Sequence, residues 1–438
     1  MQPPSPPRAS LAESTRRHVN RRLMPFLFLL YIVANLDRSN VGFAALRMTR
    51  ELHFADDVFG FGGGIFFLGY FLLEIPGTVL VEIWSARKWI ARIMLTWGLL
   101  ASATGWIHTA HQFYWIRFFL GVAEAGFFPG LVVYLSHWYR QEDRGKAVAI
   151  FMAAIPASQL LGAPLSAALL RVHWLGFDGW RWLLTLEGVP AVVLGLVTLF
   201  YLTDRPEQAR WLPREEREWL AAELERERCA RAAHSSVWKA LRNPNVLLLA
   251  AILLLGLAPN YGLSLWLPQM VQRLSAFGVS QVSLLAAIPY LCSLPLMLLT
   301  GWHSDRSGER KWHTVVPRLV SGMALTGCFF STQNIGLMVV LLSLATVGFY
   351  CAHPGFWPMP NLLLGRAAAA ASIGMINSFG NLGGFLGPYA IGWLTRRTGD
   401  FRASMLVLAA CAFASGLLVL RVRVGVAARV PSRPAVVT

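Results

Sequence analysis

The sequence predicts an all-α membrane protein with twelve transmembrane helices in two six-helix halves. The 438 residues are 55% hydrophobic and only 14% charged, a balance typical of multi-pass membrane proteins rather than of soluble domains. A membrane-spanning helix needs about 20 mostly apolar residues, and twelve such stretches follow one another along the chain. Short sequence patterns of the first six recur in the last six, which indicates two related halves.

The predicted spans are separated by short polar loops. They cover residues 23–45, 60–81, 89–108, 113–136, 147–170, 181–202, 245–270, 282–302, 313–332, 335–360, 367–394 and 403–420. One longer loop, 203–244, mixes acids and bases at helical spacing, so we expect a surface helix there that links the halves 23–202 and 245–420. Residues 1–22 and 421–438 are predicted to be tails, the first without regular structure.

The positive charges of the chain lie mostly in alternate loops and in the two tails. Examples are Arg16 and Arg17 before the first span and Arg140 and Arg144 after the fourth. Because cytoplasmic loops carry an excess of Lys and Arg, both termini are predicted to be cytoplasmic. The segment "TRRTGDFR" (395–402) is an exception, because it is rich in arginine although it lies in a loop expected to carry few positive charges. The net charge of +16 is explained by these loops, and no nucleic-acid partner is expected.

Charged residues interrupt the apolar spans of the first half, among them Asp37, Arg38, Arg117 and Glu124. A charge at the bilayer centre costs roughly 2.5–3.5 kcal/mol on insertion scales, so these residues either serve function or pair structurally between helices. Asp37 and Arg117 are predicted at similar depth, and we expect an ion pair between them. Glu124 lies mid-bilayer, where burial disfavours the ionised form, as a proton carrier requires.

Arg38 is the natural ligand for an anionic substrate, because its guanidinium stays charged and binds a carboxylate through two N–H groups. The second half offers neutral polar groups instead. The candidates for substrate binding there and in span 5 are Gln159, Asn260, Tyr261, Asn377 and Asn381. Each of these also fits a simple interhelical hydrogen bond. Glu74 and Glu187 both precede a glycine-proline kink, and their roles stay open between function and satisfaction of freed backbone groups.

Several functions are disfavoured by missing motifs. No GxxxxGK[ST] sequence is present, which argues against ATP-driven pumping, and no HExxH or GxSxG points to a membrane hydrolase. The five cysteines show no CxxC spacing. We therefore expect neither an enzyme nor a protein with a metal or another cofactor.

The two halves share the pattern "ARKW" (86–89) and "ERKW" (309–312), each after the second span of its half. Parallel six-span halves related by an axis along the membrane normal are the architecture of major facilitator transporters. The segments "NLDRSNVGFA", "GYFLLEIPG", "RFFLGVAEAGFFPG", "GWHSDRSGERKW" and "INSFGNLGGFLGP" closely resemble the anion:cation symporter family of that superfamily. The resemblance covers roughly residues 20–420.

This resemblance implies a proton-coupled importer of a small organic anion, a sugar acid or a hydroxy-carboxylate, in the bacterial inner membrane. It implies Arg38 and Arg117 in the substrate machinery, and Asp37 and Glu124 as proton-coupling residues. A glutamine and asparagines of the family's site match Gln159, Asn377 and Asn381. The loops expected to gate transport carry Arg87, Lys88, Asp305, Arg306 and Arg310.

One departure from the family concerns Asn35, where many members carry an aromatic residue, and this difference bears on substrate selectivity. The expected partners are the anion, protons and the lipid bilayer, with the monomer as the functional unit. An anion exchanger or exporter on the same fold is the main alternative. A transporter-like sensor or a membrane enzyme is a more remote one, and aromatic acids remain open as substrates.

Overall fold

A computed structural model of the protein describes residues 8–230, 242–275, 277–331 and 334–422. These residues form helices and contain no β-strand. The predicted all-α fold with twelve spans in two halves is confirmed. Nine helices of the described part are long and apolar enough to cross a membrane by composition alone.

The first six spans run alternately across the membrane, and two of them are broken. Spans 1, 2, 3 and 6 are the single helices Arg8–Glu51, Asp56–Ile83, Ala86–Thr104 and Gly179–Tyr201. Span 4 consists of Ala110–Glu124 and Phe127–Ser136, and span 5 of Gln141–Met152 and Ala154–Leu169.

The second half repeats this plan after a helical linker. The linker contains the 3₁₀ turn Pro206–Gln208 and the helix Arg214–Ala230, as the charge pattern predicts. Spans 7, 9, 10 and 12 are Pro244–Leu274, Trp312–Phe330, Ile335–Phe356 and Arg402–Arg421. Span 8 consists of Val279–Leu285 and Ile288–Ser307, and span 11 of Met359–Asn381 and Gly383–Thr398.

The prediction that residues 1–22 lack regular structure is wrong for residues 8–22, which form the first turns of span 1. Their polar side chains have partners on the linker helix. Ser14 Oγ donates to Glu216 Oε1 at 2.5 Å, and His18 Nδ1 lies 2.8 Å from Glu216 Oε2. Val19 is buried in the same hydrophobic cluster as Leu220 of the linker helix. Residues 1–7 and 423–438 lie outside the described residues, and the exact boundaries of the halves stay a prediction.

The two halves meet closely at one side of the membrane. We call the face that holds Arg8 and Arg421 the terminal face and the opposite one the far face. Near the far face, a Cβ at Gly60 would lie 2.6 Å from the Pro388 carbonyl oxygen, and one at Gly42 would lie 2.7 Å from that of Leu265. Only glycine permits such an approach, so spans 2 and 11 and spans 1 and 7 make backbone contact there.

Two ion pairs close the far face across the halves. Arg273 of span 7 binds Asp56, and Arg396 of span 11 binds Asp57, both at the start of span 2. Arg396 belongs to the arginine-rich segment 395–402, the exception to the charge pattern. Its ion pair with Asp57 explains why an arginine stands there. Each pair is partly exposed and contributes about 0.2–1 kcal/mol, so the closure is easily reversed.

Candidate functional site

The centre of the first half holds a direct ion pair between Arg38 and Glu124. Arg38 Nε and Nη2 both lie 2.7 Å from Glu124 Oε1. The Glu124 side chain is 0% exposed and that of Arg38 17% exposed. The second oxygen, Oε2, accepts no hydrogen bond from any described residue. Arg38 therefore combines a fixed charge with some access to solvent, and Glu124 has room for a proton.

Glu124 owes its position to a break in span 4. Its helix ends at Glu124, and the next one starts after Gly126, which has φ 83°. Glycine adopts this left-handed conformation at little cost. The break frees carbonyl groups, and that of Ala123 accepts a hydrogen bond from Arg92 at 3.5 Å. A carboxylate at a helix C-terminus meets unfavourable carbonyl dipoles, which the Arg38 charge offsets.

Aromatic rings surround the two arginines. The Arg38 guanidinium lies 5.2 Å from the Tyr70 ring centre, and that of Arg117 lies 4.9 Å from the Phe66 ring centre. Tyr261 of the second half packs against Phe67 of span 2, with ring centres 4.4 Å apart, and lies within electrostatic range of Arg38. Aromatic side chains of both halves thus surround this arginine.

The expected ion pair between Asp37 and Arg117 is not formed. Asp37 accepts hydrogen bonds from Trp97 Nε1 at 2.7 Å and from Asn40 Nδ2 at 3.2 Å. These two neutral donors satisfy the carboxylate within its own helix bundle. Arg117 stays close enough for an electrostatic attraction, but its Nε has no partner among the described residues.

Glu74 forms a contact between the halves that the sequence left open. Its Oε1 accepts a hydrogen bond from Asn377 Nδ2 at 2.5 Å, and Oε2 accepts one from Asn381 Nδ2 at 3.5 Å. Glu74 is 1% exposed. Asn381 ends the first helix of span 11, where the helix breaks at Leu382. Two of the three asparagines predicted to bind the substrate, Asn377 and Asn381, are therefore held by a carboxylate of the other half.

The remaining neutral candidates are not joined to this cluster. Gln159 is buried and Asn260 half-buried, and neither side chain hydrogen-bonds to another described residue. Asn35 donates to the Tyr31 carbonyl oxygen at 2.8 Å within its own helix. Its amide is thus already occupied.

The predicted gating residues lie at or next to helix ends on the terminal face, within each half. In the second half, Arg310 Nη1 lies 2.6 Å from Asp305 Oδ1, and Arg306 stacks 5.5 Å from the Trp302 ring centre. In the first half, the Arg87 amide donates to Asp204 at 2.8 Å, and the Lys88 amide to Ser85 Oγ at 3.2 Å. Their role in gating stays a prediction.

Two six-helix halves that meet around buried charges define a membrane transporter. Residues 27–388 and 275–436 match the model of the Major Facilitator Superfamily. The chain belongs to this superfamily, and it is a transport protein and not an enzyme. The predicted resemblance to its anion:cation symporter family is confirmed by relatives that are named tartrate transporters.

One relative is a putative tartrate transporter of Agrobacterium vitis, 45% identical over 92% of this chain and 92% of that protein. Another is a quinolone resistance transporter of Acinetobacter baumannii, 38% identical over 90% and 91% of the two chains. Among solved structures, the inward open xylose transporter of E. coli has a TM-score of 0.73 at 14% identity, over 92% of this chain and 95% of that one. At that identity the similarity concerns the fold alone.

Proposed function

We propose that this protein is a proton-coupled symporter that imports a small organic anion, a sugar acid or a hydroxy-carboxylate, by alternating access. The observation that supports this most is the Arg38–Glu124 pair. Arg38 is a partly exposed cation whose partner is a carboxylate that can be neutralised by one proton. An incoming carboxylate and Glu124 then compete for the same two N–H groups of Arg38.

This competition provides a coupling mechanism. When Glu124 takes up a proton on its free oxygen, its attraction for Arg38 falls, and the guanidinium becomes available for the anion. By linkage, the bound anion in turn favours the protonated form of Glu124. A membrane potential that is negative inside opposes anion entry by about 2.3 kcal/mol per charge per 100 mV, and co-transported protons offset this penalty.

The substrate class is inferred from the neutral groups near the pair. Hydroxyl groups of a sugar acid suit amide and phenol partners, and Tyr261, Asn377 and Asn381 supply these from the second half. Arg117 adds a second buried cation, which suits a second carboxylate. The Agrobacterium vitis relative is named for tartrate, a hydroxylated dicarboxylate, in agreement with this inference.

Location and orientation belong to the same proposal. The protein is placed in the bacterial inner membrane with both termini in the cytoplasm, and it works as a monomer. The far face is then periplasmic, and the Arg273–Asp56 and Arg396–Asp57 pairs close the periplasmic side. Opening this side and closing the terminal-face loops around residues 301–311 would complete the transport cycle.

The test uses purified protein in proteoliposomes. A thermal-shift screen of carboxylates, led by L-tartrate and D-galactonate, selects the substrate, and the labelled acid is then offered with an inward-directed proton gradient. We expect accumulation that collapses when a protonophore is added, and none with a polyol of equal size. Counterflow without pH-driven accumulation would establish an exchanger instead.

Uptake of the labelled acid into inside-out vesicles, in which the cytoplasmic face is outside, would support the exporter alternative. The Acinetobacter baumannii relative is named a quinolone resistance transporter. Binding of the acid without any flux would indicate that the protein is a transporter-like sensor. Counterflow without pH-driven accumulation, export, and binding without flux each contradict the proposed symport.

A further inference from the structure

Glu187 of span 6 is a buried carboxyl group that makes no close hydrogen bond to the part of the chain that the structure describes. The residue is 6% exposed, and neither Oε1 nor Oε2 accepts a hydrogen bond from a described residue. An ionised carboxylate in such surroundings is strongly unfavourable, whereas the protonated group is neutral and can itself donate a hydrogen bond. Nothing in the coupling mechanism above uses this residue.

The charges on the helices that pack against span 6 do not compensate Glu187. These helices are spans 1, 3 and 5. Span 1 places Asp37 near it, and the two carboxylates repel each other. The second helix of span 5 carries no charged residue. Four arginines on these helices and on span 6 have other partners: Arg38 binds Glu124, Arg47 binds Asp178, Arg181 binds Glu51, and Arg92 binds the Ala123 carbonyl.

Asn40 lies between the two carboxyl groups. Its Nδ2 donates to Asp37 Oδ1 at 3.2 Å, and its amide interacts with Glu187. The same amide group therefore lies between the carboxyl groups of span 1 and span 6, and it connects Asp37 to Glu187.

We propose that Glu187 is a second proton-binding site of the transporter, linked to Asp37 through Asn40. The proton comes from the solution on one side of the membrane, binds a Glu187 oxygen, and leaves to the solution on the other side. When the proton leaves, the Glu187 carboxylate is repelled by the Asp37 carboxylate. The charge state of Asp37 therefore controls how tightly Glu187 binds its proton. This inference rests on the proposed proton coupling and adds a proton to it.

The slope of accumulation against the pH difference tests this proposal. Wild type and Glu187→Gln are reconstituted, the membrane potential is clamped to zero with potassium and valinomycin, and uptake of labelled L-tartrate is followed to its final gradient. Each coupled proton raises that gradient about tenfold per unit of pH difference. We expect Glu187→Gln to lose one such tenfold factor and to keep counterflow. Glu218→Gln, an exposed change on the linker helix, is the matched control and keeps the wild-type slope.

The outcomes separate the two proposals. Without pH-driven accumulation by wild type, the proposed symport itself fails, and the second proton fails with it. When wild type accumulates and Glu187→Gln shows the same slope, only the role of Glu187 is refuted. Glu187→Met, of similar size and without polar atoms to satisfy, replaces the Gln variant where that one does not fold. Loss of counterflow in both variants means that the carboxyl only holds the helices together, which also overturns the proposal.

Discussion

Glu74 and Asn377 connect the two halves of the transporter through a hydrogen bond of 2.5 Å. Glu74 belongs to span 2 and Asn377 to span 11, the helix pair that is also in backbone contact nearer the far face. Any movement that separates the halves along this pair must break the bond. A substrate hydroxyl that uses the Asn377 amide must displace the Glu74 carboxylate. The contact therefore opposes both substrate binding and the separation of spans 2 and 11.

Replacing Glu74 with glutamine should weaken this contact. A hydrogen bond to a charged acceptor is roughly twice as strong as a neutral one, and the difference is about 1 kcal/mol. We expect substrate to bind roughly fivefold more tightly to Glu74→Gln, as measured by isothermal titration calorimetry. The exposed change Glu218→Gln is the control and should leave the affinity unaltered. Equal affinities of Glu74→Gln and wild type would show that substrate does not compete with Glu74.

Arg38→Lys should nearly abolish substrate binding. Lysine keeps the charge but cannot present the paired N–H groups with which Arg38 holds one Glu124 oxygen. Binding is measured by calorimetry, and the melting temperature without substrate shows whether the variant folds. A folded Arg38→Lys protein that binds substrate within a few-fold of wild type would assign Arg38 a structural role.

Removing both acidic partners at the far face should shift the protein toward the far-open state. In Asp56→Asn combined with Asp57→Asn, the ion pairs with Arg273 and Arg396 are lost. Two exposed pairs together contribute about 1 kcal/mol, so the ratio of far-open to far-closed protein should rise about fivefold. Spin labels at positions 50 and 398, in a cysteine-free background, report the populations by electron paramagnetic resonance distances.

High salt is the matched condition for this experiment. It should open the far face of wild type and leave the double variant unchanged, because screening acts on the same two pairs. A double variant with wild-type distances would show that the backbone contacts at Gly42 and Gly60 alone hold the far face closed.

The sequence predicted the helices and the charged residues well, but not which charges pair. Rise per residue gives the depth of Asp37, Arg117 and Glu124, and it says nothing about the direction in which a side chain leaves its helix. Asp37 therefore binds Trp97 where Arg117 was expected. Gly126, close to Pro129, is the sequence signal for the helix break after Glu124. This signal could have indicated Glu124 as the partner of Arg38.

Contacts between the halves could not be predicted from the sequence. Glu74 and Asn377 lie on spans 2 and 11, and their register depends on how glycines such as Gly60 let two helix backbones approach. No local pattern encodes that register. The same holds for Arg396, which looked like an exception to the charge rule until Asp57 of the other half proved to be its partner.

The sharpest prediction concerns Glu124→Gln. Glutamine imitates the protonated carboxyl permanently and adds no charge to a fully buried position. Its amide oxygen can still accept from Arg38, so we expect the variant to fold. Arg38 is freed from a charged competitor, so substrate should bind more tightly and without the part of the pH dependence that Glu124 contributes. The empty carrier cannot release a proton from this position, and in the proposed cycle its return is coupled to that release.

We therefore expect Glu124→Gln to exchange labelled for unlabelled substrate across the vesicle membrane but to accumulate none when a pH gradient is the only driving force. Glu187→Gln is the informative comparison, since it should still accumulate substrate with a reduced slope. If Glu124→Gln accumulates substrate as wild type does, Glu124 is not the coupling residue. Asp37, which Trp97 and Asn40 hold in a fixed position, would then have to release the proton that drives the return of the empty carrier.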